Sequence, residues 1–127
     1  MQLETGKAIK KLIVLALQAA LRCISLKKAY DDRDENVPAE RLFNTEEVNL
    51  LHLEMKMLHA KSPKSKDGIN LFREGSLPWA AWIIARLGGW NSYESSFGKP
   101  GYIKIKTGLD HFYQHLEIYR GMTQLEV

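Results

Sequence analysis

Apolar residues recur from Leu3 to Tyr30 at helical spacing, but on more than one side of the helix they predict. Ile9, Leu12, Ile13, Ala16, Leu17, Ala20, Cys23 and Ile24 form one stripe, and Val14, Leu15 and Leu21 widen it. Lys7, Lys11, Gln18, Arg22 and Ser25 make a narrow polar strip opposite. A helix apolar over most of its circumference has to be covered on several sides. The rest of the chain offers few segments to do it, so this helix is expected to pack against something the chain lacks.

Further on the pattern is more ordinary. Asp31–Phe43 reads as a polar connection in which Pro38 opens a short helical turn. Asn44 and Glu47 have capping-box spacing, and a helix follows to about Ala60, with Val48, Leu51, Met55 and Leu58 as its buried stripe. Lys61–Gly68 is a basic loop. Pro78 starts a helix whose Trp79, Trp82, Ile83 and Leu87 face inward. Gly88-Gly89 stops it, with Trp90 folding back as the apolar contact of a glycine cap. After the turn at Pro100-Gly101, a last helix is expected to start between Lys104 and Thr107 and to run to about Gly121. Thr107 and Asp110 have cap spacing there, and Leu109, Phe112, Tyr113, Leu116 and Tyr119 form its stripe. Tyr102–Lys106 is the one strand-like run. The expected fold is all-α, with about five helices.

Composition narrows the class without choosing a function. The 127 residues suit one domain, with 45% hydrophobic and 26% charged positions typical of globular chains. A net charge of +3 from 18 basic and 15 acidic residues permits DNA contact without demanding it. One cysteine excludes an internal disulfide framework and fits a reducing cytoplasm. The charge-free run Leu12–Leu21 is half the ~20 residues a membrane span needs. Arg22 follows it where a signal peptide would have a small-residue cleavage site, so no membrane partner is expected.

Candidate chemistry is thin. Asp32, Asp34 and Asn36 imitate the start of a calcium loop, but its glycine position is Val37 and its glutamate position Phe43. His111 and His115 have the i, i+4 spacing of zinc ligands, with Phe112 in place of the metalloprotease glutamate and no third ligand nearby. Cys23 lies in the apolar stripe and reads as a small hydrophobe. Trp79, Trp82 and Trp90 read as core, with Arg86 placed to lie over Trp82. Lys61, Lys64 and Lys66, and separately Lys99, Lys104 and Lys106, form two basic clusters. They serve either solubility or contact with a DNA backbone. There is no phosphate-binding Gly-Lys-Ser or Gly-Lys-Thr and no arguable nucleophile–base set.

An ordered series of short motifs resembles a known pattern: Ala85–Trp90 (ARLGGW), Lys99-Pro100-Gly101, then Gly108-Leu109. It resembles the C-terminal region of bacterial cut-and-paste DDE transposases of the insertion-sequence-four, Tn-five-like family. Gln2–Thr5 is similar to the segment that follows that family's catalytic glutamate motif. The resemblance implies that residues 1–32 form a helix leaving an absent RNase H-like core, and that 33–127 form a helical dimerisation domain. The family's two aspartates and glutamate hold divalent metal, with Mg2+ expected on that core and no cofactor on this chain. The glutamate's Tyr-x2-Arg-x3-Glu-x6-Lys signature is matched by Tyr30 and Arg33, but fails at Val37 and Asn44. By position, the implied dimer contacts are Gly108, Leu109, Phe112, Tyr113, Leu116 and Tyr119, with Gly88, Gly89, Trp90, Pro100 and Gly101 as structural turns. The family's Trp two residues before that Gly is Lys106 here. The implied activity is self-association, or association with an intact transposase, in DNA transposition. A stand-alone DNA-binding module or a transposition inhibitor is the alternative.

Overall fold

A computed structural model of the chain describes residues 2–61, 70–91 and 98–125. Four α-helices make up this part: α1 (Gln2–Asp32), α2 (Thr45–Lys61), α3 (Leu77–Leu87) and α4 (Tyr102–Leu125). A 3-10 turn, Ala39–Arg41, follows Pro38. The expected fifth helix is this single turn, and no strand occurs among the described residues.

The centre of the fold is α3. Every residue from Leu77 to Ala85 is buried, so it has no outer face, in contrast to the one-sided stripe expected of it. Its length of 11 residues lets α1, α2 and α4 enclose it. Ser76 caps its start by accepting the Trp79 N–H at 3.3 Å while donating to the Arg73 carbonyl at 2.7 Å. A short antiparallel bridge ties the same point to Pro38, with Leu77 N–H donating to Val37 O at 2.7 Å.

The far end of α3 closes as the glycines suggested, although the two glycines do different jobs. Gly89 has φ +96°, and it donates to Arg86 O while Trp90 donates to Ala85 O, the paired bonds of a Schellman cap. Gly88 has φ −82° and no need of a left-handed conformation. A Cβ on Gly88 would stand 1.8 Å from the Lys104 carbonyl oxygen of α4, and a Cβ on Gly108 would stand 1.8 Å from that of Ile84. Two glycines, one from each helix, thus let α3 and α4 cross backbone to backbone.

That crossing explains where α4 lies. It begins at Tyr102, directly after the Pro100-Gly101 turn, and runs to Leu125, longer at both ends than expected. Gly101 O accepts the Ile105 N–H at 3.2 Å, so Thr107 sits inside the helix and caps nothing. Tyr102–Lys106 is its first turn and not a strand, because Ile105, Leu109, Phe112 and Leu116 form a continuous buried stripe at i, i+4, i+7 and i+11. At the start of α2 the capping box forms: Asn44 N–H donates to Glu47 Oε1 at 2.9 Å and Glu47 N–H to Asn44 Oδ1 at 2.8 Å.

Candidate interaction surface

Only the C-terminal part of α1 belongs to the core. Cys23, Leu26 and Tyr30 are buried against α3 and α4, whereas every residue from Lys7 to Leu21 is exposed. Ile9, Leu12, Ile13, Val14, Leu15, Leu17, Leu21 and Ile24 each leave between 52% and 67% of their surface in water. Of the 15 large hydrophobic side chains exposed among the described residues, these eight lie on α1, and no other described element covers them.

On one side this surface deepens into an open apolar groove of about 440 Å³ between α1 and α4. Ala16, Ala19 and Ala20 form its floor, and Tyr102 and Ile103 of α4 rise as its wall. Ile103 is 81% exposed, an unusual setting for isoleucine in the first turn of a helix. Lys106 and Asp110 stand at the same groove. Neither wall residue was expected on a helix; the i, i+4, i+7 run of Ile105, Leu109 and Phe112, starting soon after Pro100-Gly101, is the signal in the sequence that could have extended the helix back to them.

The six positions that the resemblance implied as dimer contacts are divided by the fold. Leu109, Phe112 and Leu116 are buried in the chain's own core, and Gly108 is pressed against Ile84. Tyr113 and Tyr119 are half-buried. The apolar side chains that α4 turns to solvent are instead Tyr102 and Ile103 near its start and Ile118 and Met122 near its end.

Of the two lysine clusters, only the second lies wholly among the described residues. Lys99 and Lys104 lie at the α4 entrance beside Gly89 and Pro100, whereas Lys106 points to the α1 groove. Lys61 ends α2, and Lys64 and Lys66 lie outside the described residues.

The histidines serve packing between elements. The ring of His111 donates from Nδ1 to Leu87 O at 2.9 Å, and His115 Nδ1 donates to Glu54 at 2.5 Å. Among the described residues no group of three or more His, Cys, Asp or Glu side chains could hold a metal ion. Asp34 closes a local turn by accepting the Asn36 N–H. The three tryptophans are buried: Trp90 stacks edge-on to Tyr30 at 5.6 Å and to Trp82 at 6.4 Å, and Arg86 lies 5.8 Å over the Trp82 ring.

Glu47 and Glu54, about two turns apart on α2, are buried carboxylates that the apolar pattern did not single out. Glu47 meets Arg22 of α1 at 3.5 Å and Glu54 meets His115 of α4. No helix among the described residues is long and apolar enough to cross a membrane. Comparison with protein-family models, with curated proteins and with solved structures gives no match for this chain.

Proposed function

We propose that this chain is a non-catalytic association domain, the C-terminal portion of a cut-and-paste DNA transposase. Its role is to hold transposase subunits together while the ends of a mobile element are paired. The observation that carries the reading is the uncovered apolar surface of α1, in water from Lys7 to Leu21. A soluble monomer's largest apolar patch is ordinarily about 300–600 Å². A surface of this kind calls for further protein, which an RNase H-like core preceding α1 would supply.

The motif series adds support. Gly88, Gly89 and Trp90 form a Schellman cap, and Pro100-Gly101 delivers the chain into α4. Gly108 meets α3 at the crossing. In this reading Mg2+ and the cutting chemistry belong to the preceding core. Contacts between subunits draw on the α4 side chains left free by the fold, Tyr102, Ile103, Ile118 and Met122, together with the half-free Tyr113 and Tyr119.

The test is the reading frame upstream of the Met1 codon. It is expected to continue back into a Tyr-x2-Arg-x3-Glu-x6-Lys signature. A frame without that signature would overturn the transposase assignment, while leaving an association role to be tested separately.

A further inference from the structure

The spacing along the groove side of α1 is symmetric end to end. Gly6, Ile9, Ile13, Ala16, Ala20 and Cys23 are separated by 3, 4, 3, 4 and 3 residues, the repeat of a helix–helix seam. Read from either end the series is the same, with its centre between Val14 and Leu15. A two-fold axis at that centre puts Ile9 opposite Ala20 and Ile13 opposite Ala16 of an antiparallel copy, a large side chain facing a small one each time. Alternating large and small residues is how facing helices interlock without voids. Gly6 falls level with Cys23, which is buried in its own chain, and brings no side chain against it.

Space favours the same arrangement, and the charged strip of Lys7, Lys11 and Arg22 stays on the side of α1 away from the seam. The exposed stretch from Lys7 to Leu21 spans about 22 Å at 1.5 Å per residue, so the two bodies lie at opposite ends of the pair. The arm of one copy then enters the groove of the other, beside Tyr102 and Ile103.

The free surface is large enough. The residues on or flanking the seam, Ile9, Leu12, Ile13, Leu17 and Ile24 with Tyr102 and Ile103, expose roughly 800 Å², which matches about 800 Å² per partner in a standard interface. One helix covers only one side of α1. Apolar surface is left beyond the stripe, at Val14, Leu15 and Leu21, for the preceding core of the reading above.

We propose that the groove between α1 and α4 receives α1 of a second copy, antiparallel, with Ile9 and Ile13 of each copy seated on Ala20 and Ala16 of the other. This rests on the association reading for its biological sense, but not on the transposase assignment. The pair is isologous, each copy giving and receiving the same surface.

Sedimentation of the chain as it stands is expected to give a dimer. Ile13→Lys and Ala16→Trp change side chains that are exposed in the single chain, so helicity by circular dichroism is expected to be unchanged while the mass falls to one chain. In a Cys23→Ala background, an Ile13→Cys chain mixed with an Ala16→Cys chain is expected to yield a disulfide-linked heterodimer, in larger amount than either chain alone. A monomer at all concentrations would overturn both this pairing and self-association by this chain. A dimer indifferent to both substitutions and uncrosslinked at 13–16 would overturn the groove pairing alone and move the contact to another surface.

Discussion

Gly88 and Gly108 carry the α3–α4 crossing, and the other glycines show what that means for substitution. A methyl group at either position would lie 1.8 Å from a backbone carbonyl oxygen that cannot move without shifting its helix. Gly88→Ala and Gly108→Ala are each expected to destabilise the fold by about 2–4 kcal/mol, the upper part of the range for overpacking, read from denaturant midpoints. Gly121 is also helical, but a Cβ there meets nothing within 4 Å. Gly121→Ala is therefore expected to stabilise by about 0.5–1 kcal/mol, provided α4 stays helical to its end.

At Cys23 burial raises the thiol pKa above its ordinary 9.0, Asp110 adds to the rise and Lys106 opposes it. In the folded chain it should react with thiol reagents at neutral pH more slowly than in denaturant, because burial both raises the pKa and shields the sulfur. The sign of the pH effect follows from the raised folded value. The protonated thiol's contribution is fully present below 9.0 and is lost as pH climbs through the folded pKa. Above about pH 9, stability should fall more steeply in the native chain than in Cys23→Ala.

At the scale of elements, α1 and α3 invert a common expectation. Both are rich in apolar residues, and the one with a single inward stripe by pattern, α3, proves buried on every side. The one whose apolar surface runs nearly all round, α1, is covered only around Cys23, Leu26 and Tyr30. Burial depends on which elements the chain brings alongside, and 11 residues can be enclosed by three neighbours where 31 cannot.

The docking of α2 rests partly on polar contacts. Glu54 is 5% exposed and its partner on α4 is His115. His115→Ala leaves that carboxylate without this partner, and a loss of about 1–3 kcal/mol is expected, tempered by the half-exposed position of the histidine. Glu54→Gln together with His115→Ala should cost less than the sum of the two single changes. Asn44→Ala removes one half of the capping box and is expected to cost about 1 kcal/mol, with α2 frayed at its first turn.

For the whole molecule, the balance between covered and uncovered apolar surface makes association a property that concentration should reveal. If the native state is an isologous pair, each tenfold rise in protein concentration adds about 1.4 kcal/mol per dimer at 25 °C. The melting temperature should then climb by a few degrees per decade of concentration. Ile13→Lys should flatten that dependence. A melting temperature independent of concentration in the native chain would mean that the folded unit is the single chain and that its apolar arm awaits a different partner.

Local information settled much of this protein. The capping box at Asn44 and Glu47, the proline-led start and double-glycine stop of α3, and the i, i+3, i+4 runs of α1, α2 and α4 are interactions between residues a few positions apart. They can therefore be read along the chain. Tertiary structure alone decided the rest. It assigned Gly88 to a helix crossing instead of a left-handed cap, and buried Glu47 and Glu54. It also spent Leu109, Phe112 and Leu116 on the core. It left α1 bare from Lys7 to Leu21 and set Tyr102 and Ile103 beside its alanines. The physical reason is the same in each case: periodicity reports which face of a helix is apolar, whereas burial depends on residues distant in sequence that come to lie against that face.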